Sequence, residues 1–124
     1  MVDYRLELVI IPVADVARSR AFYGDTLGWP VDHDQVVSED LHFVQVTPPG
    51  SACSIAFGKG ISTMEPGSMR ALQVVVGSAD DAHDDLVSRG VEASPVDDQP
   101  WGRFVQFADP DGNTWSVQEL PARG

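Results

Sequence analysis

The order of elements along this chain is written twice. A strand-like run, "RLELVIIP" (5–12), leads into a helix-like stretch that Gly28 ends. A second, "RALQVVV" (70–76), leads into another that Gly90 ends. The spacing repeats as well: 15 residues from Val13 to Gly28, 14 from Val76 to Gly90. Short strand patterns follow each helix, near 31–37, 41–47 and 53–58 in the first half and near 91–95, 103–108 and 113–119 in the second. Tandem β-α-β-β-β units, about 4–60 and 69–120, account for this order. The aperiodic "ISTMEPGS" (61–68) reads as the linker between them. A length of 124 residues suits one domain. The expected fold is therefore α+β, with both units forming one rolled, cup-shaped mixed sheet and the helices outside.

Local signals agree with that plan. Pro12 stops the first strand and Asp15 is a suitable helix N-cap. Val16, Tyr23 and Leu27 share one helical face. In the second half, Ser78 with Asp81 three places on resembles a capping box, and Ala79, Ala82 and Leu86 form the helical stripe.

Strand parity separates two kinds of face, because side chains alternate with a period of two. Val44 and Val46 oppose Phe43 and Gln45; Leu72, Val74 and Val76 oppose Ala71, Gln73 and Val75. Val105 and Phe107 oppose Phe104 and Gln106; Trp115 and Val117 oppose Thr114, Ser116 and Gln118. One face of each strand is apolar, fit to pack under a helix. The other mixes glutamine and hydroxyl with an occasional aromatic. A solvated surface has no need of Phe43 and Phe104, so this face is expected to line a cup.

Composition narrows the partners. With 8 Lys and Arg against 19 Asp and Glu, the net charge is −11. Phosphate backbones and anionic membrane surfaces both call for clustered cations, so neither nucleic acid nor membrane is an expected partner. Cys53 is the one cysteine and no signal segment is evident at the start, which fits a cytoplasmic location.

The candidate site follows from parity and one loop. Phe43, Gln45, Gln73, Phe104, Gln106, Ser116 and Gln118 are expected to face a ligand. In "QPWGRF" (99–104), Trp101 offers a flat ring and Arg103 a fork for a carboxylate or phosphate, as a rim would. None of the neutral groups is a general base near pH 7. Cys53 has no activating histidine nearby in sequence, and Ser116 lacks a nucleophile elbow. No catalytic residue is assigned.

Two segments carry a family resemblance. "VADVARSRAFYGDTLGW" resembles the first helix signature of the vicinal oxygen chelate superfamily, the glyoxalase, bleomycin-resistance and extradiol dioxygenase proteins, and "FADPDGNTWSVQEL" resembles its final turn and strand. The resemblance covers nearly the whole chain and implies a homodimer. In metal-using members, four His, Glu or Gln ligands hold a divalent ion. Carried onto this sequence, those slots fall on Leu8, Ala56, Ala71 and Ser116. A one-residue shift would bring Glu7 in, but would turn the strand inside out. Glu119 shares the parity of Trp115 and Val117, and His33, His42 and His83 form no ligand spacing. No cofactor is expected; a divalent metal enters only if the slots are misassigned. The function expected is binding of a small molecule, an aromatic one by its lining. The alternative is a lyase or dioxygenase-like enzyme, metal-free or with a relocated metal.

Overall fold

The computed structural model describes residues 1–122. The chain divides into two compact units between Pro66 and Gly67, inside the segment read as a linker.

The first unit runs β1 (Leu8–Ile10), α1 (Val16–Arg20), β2 (Val31–Ser38), β3 (Leu41–Val46) and β4 (Ser54–Lys59). Its strands form a four-stranded mixed sheet in the order β1-β4-β3-β2, with β1 parallel to β4 and the other pairs antiparallel. The second unit runs β5 (Leu72–Val76), α2 (Ala79–Ser88), β6 (Asp97–Gln99), β7 (Gly102–Ala108) and β8 (Thr114–Glu119). Its sheet repeats the plan as β5-β8-β7-β6, with β5 parallel to β8. The fold is thus α+β, two βαβββ units. No helix among the described residues is long and apolar enough to cross a membrane.

The expected caps are present. Asp15 accepts a hydrogen bond from Arg18 N at 3.0 Å and Ser78 Oγ one from Asp81 N at 3.1 Å. Helix α1 continues into π-helical turns over Ala21–Thr26, where Leu27 N reaches Phe22 O at 2.9 Å. The wider turn ends at Gly28, whose φ of 72° suits glycine. Periodicity alone gives no sign of this widening.

Two strands differ from expectation. β1 keeps only Leu8–Ile10 of the 5–12 run, since β4 offers it partners only from Ser54 to Ala56. The strand expected near 91–95 does not form. Ser94 instead makes a single bridge to β7: its N–H donates to Gln106 O and its Oγ accepts from Gln106 N. Pro95 has no N–H with which to extend the ladder. Pairing resumes at β6, where Asp97 lies opposite Phe104.

Each core lies between helix and sheet. In the first unit Tyr23 packs its ring 5.6 Å from that of Phe57, above Val44, Val46 and Ile55. In the second, Trp115 stacks on Phe107 with centroids 5.9 Å apart, beside Val105, Val117 and Leu86. These apolar faces are the ones parity assigned.

Candidate functional site

Two contacts orient the second sheet. Glu119 Oε1 accepts from Ala79 N, the first residue of α2, at 2.8 Å, and Arg103 pairs with Asp80 on the same helix. Odd-numbered residues of β7 and β8 therefore face α2, and even-numbered ones face away. The away face is built of cross-strand rows. Gln73, Ser116 and Gln106 lie directly across from one another, and Val75, Gln118, Phe104 and Asp97 form the next row.

Hydrogen bonds knit these rows together. Gln73 Nε2 donates to Gln118 Oε1 at 2.6 Å, Gln118 Nε2 to Trp101 O at 3.0 Å, and Gln106 Nε2 to Ser116 Oγ at 3.1 Å. Ser116 is buried, Phe104 and Gln118 are half-buried, and Gln73, Val75 and Gln106 are exposed. Trp101 is 61% exposed beside this face. Gln73, Trp101, Phe104, Gln106, Ser116 and Gln118 are thus brought into one neighbourhood. Sequence reasoning passed over Asp97, which pairs with Phe104 only because β6 begins later than expected.

Arg103 is placed otherwise than expected. It shares the α2 side with Val105 and Phe107, and its guanidinium is already engaged: Nε to Asp98 at 2.6 Å and Nη1 to Asp80 at 2.9 Å. Its proton is held above the ordinary guanidinium value, first by Asp80 and then by Asp98. Arg103 in turn holds the Asp80 carboxyl below the usual carboxylate range. The fork meant for a ligand's anion is filled by the protein's own carboxylates. Its parity, opposite to that of Phe104, was the available signal.

Phe43 and Gln45 belong to the first unit's sheet, on the face turned from α1, with Gln45 across from Ala56 and Phe43 across from Gly58. The helix side of that sheet carries an ionic cluster. Asp34 accepts from Arg20 Nε on one oxygen and meets His42 Nε2 with the other, each at 2.6 Å. The His42 hydrogen bond, with Arg20 in support, holds the Asp34 carboxyl below its usual range. A groove of about 660 Å³ opens nearby, lined by Asp15, His42, Lys59, Ser62 and Met64 among others. Its charged groups are engaged: Asp15 by Arg18 N, His42 by Asp34, Lys59 by the Glu39 carbonyl.

The turn ahead of β8 fixes its start. Asp109 Oδ1 accepts from Asp111 N and Asn113 N at 3.0 and 2.9 Å, and Asn113 Oδ1 accepts from Met69 N at 3.0 Å. Gly112 takes a φ of 96°, available to glycine at little cost. Ser116 then falls on the open face.

The positions that the resemblance assigns to a metal carry poor donors. Ala56 is buried in β4, Ser116 in β8, Leu8 lies on β1 and Ala71 just ahead of β5. Three hydrocarbon side chains and one neutral hydroxyl do not fit a divalent ion. Among the described residues, no three or more His, Cys, Asp or Glu are grouped to hold one elsewhere.

The fold and these motifs define a class. Residues 5–117 match the model of the glyoxalase/bleomycin resistance protein/dioxygenase superfamily, and the chain belongs to that family. Among solved structures it is similar to TnmS3, an antibiotic binding protein from Streptomyces sp. CB03234. That likeness has a TM-score of 0.87 and 31% identity, covering 98% of this chain and 99% of that one. A superfamily member from Sphaerobacter thermophilus DSM 20745 superposes with a TM-score of 0.82 at 30% identity, over 94% of this chain and 98% of that one. The uncharacterized protein YetH of Bacillus subtilis (strain 168) is 25% identical over 117 residues, 90% of this chain and 94% of YetH.

Proposed function

We propose that this protein binds a small aromatic molecule, without a metal, on the open face of its second unit. The observation that carries this reading is the pairing of a neutral polar row, Gln73–Ser116–Gln106, with the Val75–Gln118–Phe104 row and the exposed Trp101 ring. Flat apolar surface holds a planar body, and fixed amides orient its polar edge. The glutamines and the serine are not general bases at neutral pH, which favours binding over turnover. Likeness to an antibiotic binding protein supports a sequestering role in the same sense. The chain also acts as a homodimer in this reading. Val2, Tyr4 and Leu6 alternate with polar residues ahead of β1 and are 67%, 91% and 71% exposed, an apolar stripe suited to a second copy.

The test is calorimetry and Trp fluorescence on chelator-treated protein against a panel of planar compounds, with elemental analysis of protein purified without chelator. Saturable binding by metal-free protein is expected. Silence across the panel from folded protein, or a stoichiometric transition metal that binding requires, would contradict the proposal.

A further inference from the structure

Two of the hydrogen bonds of the open face, Gln73 to Gln118 and Gln118 to Trp101 O, form a chain with a direction, and its anchor is a group that admits only one role. A backbone carbonyl can accept but never donate. The end of Gln118 that lies 3.0 Å from Trp101 O is therefore its NH2. Gln118 must then turn its Oε1 toward Gln73, and the Gln73 group 2.6 Å away must be an NH2 as well. Gln73 is left with its own carbonyl outward; among the described residues, no group bonds that oxygen. A lone surface glutamine swaps its two ends freely, whereas this one is polarised from the far side of β8.

The anchor depends on Gly102. Its φ is 151°, and a Cβ there would lie 2.9 Å from Gln118 Nε2 and 2.8 Å from Glu119 O. Glycine keeps open the path by which the Gln118 amide reaches Trp101 O.

We infer that the Trp101 carbonyl sets the direction of an amide relay through Gln118 to Gln73, so that this face selects aromatic ligands bearing an O–H or N–H donor. The inference rests on the open face being the binding site. Gln118 and Gly102 act as positioning residues, and Gln73 touches the ligand. Gln73 keeps one N–H to donate, so ligands that only accept are disfavoured and not excluded. A single net hydrogen bond corresponds to roughly threefold to tenfold in affinity.

The test uses a matched pair of probes, 1-naphthol and 1-methoxynaphthalene, titrated calorimetrically into the wild-type protein, Gln73→Met and Gln118→Met. The quantity read is the ratio of the two affinities. Relative to wild type, the preference for naphthol is expected to fall roughly threefold to tenfold in both variants. Gln118→Met leaves Gln73 in place but frees it to rotate. A merely structural role for Gln118 would weaken both probes alike and leave the ratio unmoved. An unchanged ratio with both probes binding would overturn the relay and leave the binding site standing. Binding of neither probe to folded wild-type protein would overturn the binding site and the relay together. Circular dichroism of each variant confirms folding; in Gln118→Glu the carboxylate can still accept from the Gln73 NH2, so the preference for naphthol is expected to survive there, and its loss would overturn the relay.

Discussion

Laid over one another by strand register, the two units keep some positions and change others. Gln45 on β3 faces Ala56, and Gln106 on β7 faces Ser116; Phe43 faces Gly58, and Phe104 faces Gln118. Glutamine and phenylalanine thus recur in both units at equivalent places. Their partners do not. Ile10, Ala56 and Gly58 in the first unit stand where Gln73, Ser116 and Gln118 stand in the second. The first sheet is lean and apolar at these points, whereas the second carries an ordered set of amides and a hydroxyl. The backbone plan is shared, and the polar side chains at these positions are not.

The difference can be broken most severely at Gly58. A Cβ there would lie 1.8 Å from the His42 carbonyl oxygen, a backbone atom with no room to retreat. Gly58→Ala is expected to destabilise the protein by about 3 kcal/mol or more in urea denaturation. The equivalent Gln118→Ala should cost far less, because that position already carries a side chain. Equal losses would mean that the two sheets are not differently built.

Binding should be lopsided too. Phe104→Ala is expected to weaken a planar ligand roughly tenfold in calorimetry, from the lost ring contact. Phe43→Ala should leave the affinity within about twofold of wild type if the second unit alone carries the site. A larger loss from Phe43 would extend the site to the first sheet.

The ends of the repeated strands differ in charge. Glu119 of β8 accepts from the first N–H of α2, while its counterpart Lys59 donates to Glu39 O. Glu119→Ala should cost about 1 kcal/mol of stability, the scale of a lost cap at a helix N-terminus. Lys59→Ala should cost less.

The smallest effect concerns pH. The folded-state pKa of Asp34 is depressed, chiefly by His42 and then by Arg20. Its contribution is therefore present in full above the unfolded carboxylate value of about 3.9 and is lost as pH falls through the lower folded value. Asp34→Asn should flatten part of the acid limb of a stability-against-pH curve below about pH 4, by less than about 1 kcal/mol for so accessible a pair. No change in that limb would mean that the cluster contributes nothing.

Much of this was legible in the sequence, because a period of two leaves little freedom. It fixed the faces of Val105, Trp115 and Val117, and it set Glu119 apart from Ser116. The same rule, applied to Arg103, places it with Val105; its position in a glycine-containing loop suggested a rim instead. What was not legible depends on geometry between distant residues. The π-helical turns before Leu27, the single bridge at Ser94 and the reach of Gln118 to Trp101 O leave no periodic trace. Gly102 was the one visible sign of that last contact, and it spoke only of a bend.

The proposed binding of a planar molecule, without a metal, lies on the open face of the second unit. Backbone and side-chain amide NMR of chelator-treated protein titrated with 1-naphthol tests this most directly. Saturable shifts concentrated at Trp101, Phe104, Gln106, Gln118 and the side-chain amide of Gln73 are predicted. Shifts centred instead on the groove beside His42 and Lys59, or binding that appears only after a divalent metal is added, would contradict it.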